Sequence, residues 1–419
     1  MRLAAISILP PSATRDARLL VAARALRGFG DGLTSVLLPA YVVALGYSEI
    51  EVGLLSTATL VGSAALTLAV GLLAHRLAPR RVLFGASLLL FLTGIGVATA
   101  PDFAVLLLVA FVGTLNPSGG DVSVFLPTEQ ALLAETVVPA ERTAMFARYN
   151  VYAGLAVSVG ALAAAAPALF ATSTGLVPAS RVAFASYGLL GIATALCYRR
   201  LARAKRAATD EDAQRPAASR RALGESRGIV LRLTALFSLD SFGGGFAINT
   251  MLVVWLFQRH GLSLEKASVV MSAAALLSAF SQLVSVPIAR RIGLIRTMVF
   301  THLPANAFLI AAAFAPGAAA AIACLLARSA LSQMDVPARQ AYVMSVVRPE
   351  ERAAAASITN VPRSLAGALS PSLAGAMLRA SSFGWPLVVG GSLKIVYDLL
   401  LLAGFRHRHA REERLDSRV

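Results

Sequence analysis

The chain has 419 residues, 57% of them hydrophobic and only 14% charged, with a formal net charge of +16. A water-soluble domain is about 45–50% apolar and about 25% charged, so a soluble fold of this length would leave far more apolar surface than it could bury. The cations stand in short clusters between apolar runs and are not interleaved with aromatics, which excludes nucleic acid as a partner and points to a lipid bilayer.

Met1 to Arg18 opens with a short apolar stretch, Leu3 to Leu9, followed by Pro10-Pro11 and charge. That stretch is shorter than a cleaved signal peptide requires and lacks its small-residue cleavage site, so it reads as a cytoplasmic tail. Twelve apolar spans follow, each long enough for the roughly 20 residues that a bilayer core accepts. The first six are Leu19–Leu45, Val52–Ala74, Val82–Ala100, Phe103–Ala134, Ala144–Phe170 and Val182–Tyr198. The second six are Ile229–Phe257, Ala267–Ala289, Thr297–Ala315, Ala318–Val346, Ala353–Leu378 and Pro386–Phe405. Spans 4 and 10 carry polar residues and internal prolines and are expected to be the least regular.

The loops orient the spans. One set is basic: His75 to Arg81, Arg142 with Arg148, Arg199 to Arg227, Arg290 to Arg296, Arg348 with Arg352, and the tail from Arg406. The opposite set carries few cations. The basic set and both termini therefore belong in the cytoplasm, with the chain as a multi-pass protein of the plasma or cell inner membrane. Residues 199–228 are too polar to form a packed core. They divide an all-α chain into an N-terminal six-helix bundle, 1–198, and a C-terminal one, 229–405, with a cytoplasmic tail at 406–419.

The two halves repeat. At a constant separation of 210 residues, Pro127 meets Pro337, Gln130-Ala131 meets Gln340-Ala341, Glu141-Arg142 meets Glu351-Arg352, and Asn150 meets Asn360. At 215 residues, Arg76 meets Arg291, Arg81 meets Arg296, and Gly46 with Ser48 meets Gly261 with Ser263. Ordered matches at nearly constant separation mark a duplicated six-helix unit, an architecture used by transporters.

The chain resembles the major facilitator superfamily. That family's loop between helices 2 and 3 follows a pattern like G-x-L-x-D-R-x-G-R-[RK]-x-x-[LI]. Residues 71–83 match it at Gly71, Leu73, Arg76, Arg80, Arg81 and Leu83, and depart from it at His75 and Ala78. The segments from Pro139 to Arg142 and from Pro349 to Arg352 look like the family's charge clusters after helices 4 and 10. Gly154, Gly160 and Pro167, and more clearly Gly367-x-x-x-Pro371-x-x-x-Gly375, echo the glycine-and-proline motif of drug/proton antiporters. The resemblance implies two pseudo-symmetric six-helix bundles, no cofactor, a monomer, and a central cavity lined by helices 1, 4, 7 and 10. It also implies gating by Arg76, Arg80, Arg81, Glu129, Gln130, Glu141, Arg142, Arg339, Gln340, Glu351 and Arg352.

Ionisable residues inside spans cost about 2.5–3.5 kcal/mol each on insertion scales, so they face the bundle interior or water. Here they are Arg24, Arg27 and Asp31 in span 1, Asp121 and Glu129 in span 4, and Asp240 in span 7. Span 10 adds Arg328, Asp335 and Arg339, span 11 adds Arg363, and span 12 adds Lys394 and Asp398. Asp31, Asp121, Asp240 and Asp335 are candidate proton-coupling groups. Arg24, Arg27, Asn116 and Arg328 are candidate substrate-cavity residues. Arg27/Asp31, Asp335/Arg339 and Lys394/Asp398 stand four apart, the spacing of helical ion pairs. Lys394/Asp398 is expected to be structural, because helix 12 is usually peripheral in the resembled family. Arg328 reads either as an anion-attracting group or as a partner of an internal acid. The glycines beside Asp31 and Asp240 permit either bending or tight packing. His302 and Asn306 read as polar contacts between packed helices.

No nucleophile triad, phosphate loop or paired catalytic carboxylates stand out, and an enzyme is not expected. Cys197 and Cys324 form no CxxC or Cys/His cluster, so neither a metal site nor a disulfide is expected. The reading is secondary transport of a small organic solute by alternating access, coupled to protons and directed outward. The alternatives are an importer or uniporter of a small metabolite, an anion being one option, and a receptor or scaffold with a transporter fold.

Overall fold

The computed structural model describes residues 9–73, 78–118, 123–138, 141–202, 226–347 and 352–405. In chain order the described helices are α1 (Arg15–Ala44), α2 (Glu49–Leu73), α3 (Pro79–Thr99), α4 (Phe103–Val112), α5 (Phe125–Ala134), α6 (Arg142–Ala163), α7 (Ala166–Thr174) and α8 (Leu176–Arg199). They continue with α9 (Arg227–Gly245), α10 (Asn249–His260), α11 (Leu264–Ile292), α12 (Leu294–Phe314), α13 (Ala318–Leu331), α14 (Asp335–Val346), α15 (Arg352–Ala380) and α16 (Trp385–Phe405). The fold is all-α. Among the described residues, nine helical stretches are long and apolar enough to cross a membrane. The spans that escape this measure do so for physical reasons: α1 carries Arg24, Arg27 and Asp31, α4 has only 10 residues, and α15 is rich in Ala and Ser and carries Arg363.

Local chemistry sets the boundaries. Gly46 and Gly261, matched in the repeat, both take positive φ, 91° and 58°, a region that glycine enters without steric cost. After Gly46, the Glu51 carboxylate accepts the Ser48 backbone N–H at 2.5 Å, half of a capping box that starts α2. Asp102 caps α4 by accepting from Val105 N at 3.0 Å.

Spans 4, 7 and 10 are not continuous helices. Span 4 stops after Val112 and resumes at Phe125, span 7 breaks between Gly245 and Asn249, and span 10 breaks between Leu331 and Asp335. Backbone freed at membrane depth needs partners inside the protein. At Asn116-Pro117-Ser118 the Asn116 Oδ1 accepts from Ser118 N (3.2 Å) and Ser118 Oγ (2.8 Å). The Pro117 carbonyl accepts twice from Thr250, from its N–H at 3.2 Å and its hydroxyl at 2.8 Å. Ser285 Oγ donates to the Met334 carbonyl at 2.5 Å in the break of span 10.

The chain forms two compact units. The first comprises Met1–Ala202 with Ile248–Ala279 and Pro371–Ser382. Its core joins Leu20 and Val21 of α1, Leu83 of α3, Phe125 and Leu133 of α5, Tyr149 of α6 and Tyr198 of α8. The helices approach closely through glycine. A Cβ on Gly32 would overlap the Val157 carbonyl, and one on Gly160 would overlap that of Phe29, so α1 and α6 touch backbone to backbone. In the same unit, second-half residues meet first-half ones. Ser158 and Ser272 hydroxyls lie 2.9 Å apart, Ser372 Oγ lies 2.7 Å from Thr57 Oγ1, and Gln258 Nε2 donates to Glu49 at 3.3 Å.

The second unit comprises Arg203–Ala247, Phe280–Ser370 and Phe383–Val419. Its core gathers Val230, Leu233 and Phe237 of α9, Met298 and Val299 of α12, Tyr342 of α14, and Tyr397 and Leu401 of α16. Here too the glycines beside the acid serve packing, since a Cβ on Gly245 would overlap the Gly367 carbonyl. In both units large apolar side chains such as Leu72, Leu88, Leu108, Val182, Phe300 and Leu399 point outward, as a lipid-facing surface requires.

Candidate functional site

Each unit encloses a cluster of charge. In the first, Glu129 of α5 has no solvent-accessible surface at all. Its Oε2 accepts from the Arg27 guanidinium of α1 and from the Tyr149 hydroxyl at 2.5 Å, and its Oε1 accepts from the Tyr198 hydroxyl at 2.5 Å. Arg27 also donates to Ser123 Oγ at 3.3 Å and stacks over the Phe125 ring, 4.2 Å from its centroid. A buried carboxylate met by a guanidinium and two phenols is charge-balanced and richly hydrogen-bonded. Seven residues along α1 from Arg24, Asp31 lies 3.6 Å from that guanidinium, which also rests over the Tyr149 ring.

The second unit holds a larger cluster. Asp240 of α9 accepts from Lys394 Nζ of α16 at 2.6 Å and from Arg339 Nη1 of α14 at 3.2 Å. Arg339 Nη1 also reaches Asp335, four residues before it, at 3.2 Å. Behind Lys394 stands His302 of α12. Its Nε2 lies 3.4 Å from the ammonium and 3.8 Å from Asp240, and its Nδ1 lies 2.9 Å from Asp398. Each ring nitrogen thus has a polar partner, the ammonium at Nε2 and the Asp398 carboxylate at Nδ1. Asn306 Nδ2 donates to the other Asp398 oxygen at 3.2 Å.

Two local expectations are corrected. Arg27 does not spend itself on Asp31 one turn away. It turns to Glu129 on another helix, and Asp31 meets Arg24. Lys394 does not pair with Asp398 at the periphery. It crosses to Asp240, and Asp398 is held by His302 and Asn306. The physical reason is shared: a neighbour four residues along competes with every side chain of the packed helices, and at these positions the packed helix offers the shorter contact. Asp335/Arg339 alone forms the pair expected from its spacing. Lys394, His302, Asp398, Tyr149 and Tyr198 were not among the candidate residues. The one available signal was the cost of ionisable residues inside a span, which Lys394 and Asp398 carried openly.

Residues 20–371 match the Major Facilitator Superfamily. The chain belongs to that superfamily. Membership makes it a multi-pass membrane transporter and not an enzyme. A Saccharomyces cerevisiae membrane protein, YJR124C, is 23% identical over 94% of each chain. Among solved structures, a bacterial homolog of the human lysosomal transporter Spinster superposes with a TM-score of 0.74 at 16% identity, over 93% of this chain and 96% of its own. The Escherichia coli xylose transporter XylE gives 0.73 at 14% identity, over 92% and 95%. The nucleoside transporter NupG gives 0.70 at 13%, over 94% and 100%. At these identities the likeness is one of fold.

The remaining candidates fall in several places in this superfamily member. Arg80 donates to the Arg199 carbonyl, capping the end of α8, and Arg142 Nε donates to the Ala134 carbonyl at 3.0 Å, capping α5. Glu141 accepts from the Ser12 hydroxyl at 2.5 Å, fastening the segment before α1. Arg81 and Gln340 are exposed and Gln130 is partly so. Asn116 is buried and shapes its own turn. Glu129 and Arg339, expected at gates, lie in the two buried clusters. Asp121, Arg76, Glu351 and the side chain of Arg352 lie outside the described residues.

Proposed function

We propose that this transporter moves a small organic solute outward in exchange for protons, with Asp31 as the group that carries the proton. The observation behind the assignment is the 3.6 Å separation of Arg24 and Asp31, a looser contact than those holding the other span-1 and span-7 charges. Protonating Asp240 breaks contacts with Lys394 and Arg339, and protonating Glu129 breaks contacts with Arg27 and two phenols. Protonating Asp31 weakens its contact with the Arg24 guanidinium, which at 3.6 Å is longer than the contacts that hold Asp240 and Glu129. Arg24, its contact with Asp31 weakened in that step, is the residue assigned to a substrate group. Asp240, Asp335, Arg339 and Lys394 form the fixed counterpart in the second unit. The arginine-rich loops support both termini facing the cytoplasm of the plasma or cell inner membrane, with the protein acting as a monomer.

A growth screen of an overexpressing strain against toxic compounds supplies a cargo. Flux of that cargo in proteoliposomes under an imposed pH gradient then tests the coupling. Wild type is expected to move cargo against the direction of proton flow, and Asp31→Asn to lose that dependence. Proton-driven flux that survives in Asp31→Asn sinks the assignment. Cargo running with the protons instead selects the importer reading, which is kept open because a D-xylose–proton symporter shares the fold.

A further inference from the structure

Among the described residues named above as charges inside the spans, all but one face an opposite charge. In the first unit Arg24 and Arg27 stand against Asp31 and Glu129. In the second unit Arg339, Lys394 and Arg363 face Asp240, Asp335 and Asp398, and the field of Arg363 reaches both Asp240 and Asp335. Arg328 of α13 is left over. It has no ion pair and no hydrogen-bond acceptor among the described residues, and its Nε is sealed from solvent with nothing to donate to. The internal acid that could have met it, Asp335, is engaged by Arg339.

Its position makes the vacancy costly. Arg328 sits on the flank of the buried face formed by Ala321, Leu325 and Ser329, three residues before α13 ends. Four residues after that end the span resumes as α14, which carries Asp335 and Arg339. The residue is therefore near the middle of the crossing Ala318–Val343 and not at a lipid–water boundary. A guanidinium cannot shed its charge to avoid the cost, as a lysine could. Its planar fork fits the two oxygens of a carboxylate, phosphate or sulfonate.

We propose that the solute is an organic anion and that Arg328 binds its charged group. This rests on the transport reading above and names the substrate class. The anion supplies the partner that Arg328 lacks among the described residues, and the fork supplies paired donors that an uncharged solute would leave unmet.

Thermal unfolding of the purified full chain in detergent tests this without requiring flux. Benzoate, succinate, phenylphosphate and benzenesulfonate are titrated against the uncharged benzamide, succinamide and benzyl alcohol. At least one anion is expected to raise the Tm of wild type while the uncharged compounds do not. Its apparent affinity should fall about 10- to 100-fold in Arg328→Gln, the loss expected for charge-assisted hydrogen bonds, and less in Arg328→Lys. Should Arg328→Gln fail to fold, Cys324 carries the test. It lies one turn before Arg328, and in a Cys197→Ser background the same anion should protect it from maleimide.

Three outcomes overturn the proposal. The first is that no anion raises the Tm of wild type. The second is that the stabilisation persists undiminished in Arg328→Gln, as it would if the guanidinium only completed the end of α13. The third is that the Arg328→Gln defect is repaired by adding Asp121→Asn, which would identify an internal acid as the missing charge. Absence of flux in a protein that still binds anions through Arg328 would count against the transport mechanism and leave the ligand class standing.

Discussion

Lys394 Nζ lies 2.6 Å from Asp240 Oδ1, across two helices that are 154 residues apart in sequence. The contact turns a residue of the last helix into a member of the buried charge cluster. Removing one partner of such a pair strands the other, at a cost of about 3–5 kcal/mol, whereas removing both together costs far less. Lys394→Met and Asp240→Asn should therefore each lower the Tm in detergent more than the double variant does. Single effects that simply add would mean that the two charges do not sense one another.

Arg27–Glu129 and Asp240–Arg339 are the same pair built twice with the charges exchanged. Arg27 and Asp240 are 213 residues apart, as are Ala17 and Val230, Leu20 and Leu233, and Arg24 and Phe237, while Glu129 and Arg339 keep the separation of 210. The flanking members of each series are buried alike. The second unit thus shows that this frame accepts the reversed polarity. Arg27→Asp with Glu129→Arg should recover folded protein, measured as monodisperse yield, where either single change loses it. Failure of the double variant would mean that Tyr149 and Tyr198, whose hydroxyls donate to the carboxylate between them, fix the polarity in the first unit.

How far the sequence disclosed this molecule depends on the kind of feature. The duplication was legible because identical residues recur, and Gly46 and Gly261 carry a shared positive φ into the structure. The breaks in spans 4 and 10 were signalled by polar residues and internal prolines, Asn116-Pro117-Ser118 among them, whereas the glycines before Phe246 left bending and packing equally open. The clusters were half-legible. Their members announce themselves as charges inside apolar runs, but spacing along one helix says nothing of partners on another, which is why Lys394 was assigned to Asp398. The exchanged polarity of Glu129 and Arg339 stayed hidden, because an alignment of repeats rewards likeness and these two are opposites.

Glycine contacts predict a sharp contrast. At Gly32 a methyl group would meet the Val157 carbonyl and the Ala161 amide, both backbone, whereas at Gly85 nothing lies within 4 Å. Gly32→Ala should therefore lower the Tm markedly by driving α1 and α6 apart, in the range of about 1–3 kcal/mol for an overpacked site. Gly85→Ala should be neutral or stabilising by up to about 1 kcal/mol through helix propensity. Equal effects at the two sites would refute the close approach.

Ser158 of α6 and Ser272 of α11 bring a first-half and a second-half helix together with hydroxyls 2.9 Å apart. That separation suits a disulfide, whose Cβ atoms stand about 3.5–4.5 Å apart. In a chain with Cys197 and Cys324 replaced by Ser, Ser158→Cys with Ser272→Cys should crosslink on mild oxidation and stop flux, and reductant should restore it. Full flux in the crosslinked protein would mean that this contact persists through the whole cycle.

The Pro117 carbonyl accepts two hydrogen bonds, both from Thr250, where the break of span 4 meets the start of α10. Pro117 lies in the break between α4 and α5, outside either helix. Any movement that draws Thr250 away uncovers a bare carbonyl oxygen at depth in the membrane, and water is the one abundant replacement. Parting of these two segments is then a wetting event as much as a mechanical one. Its rate would be set by how readily a few solvent molecules follow the threonine out, and it would slow in heavy or osmotically depleted water.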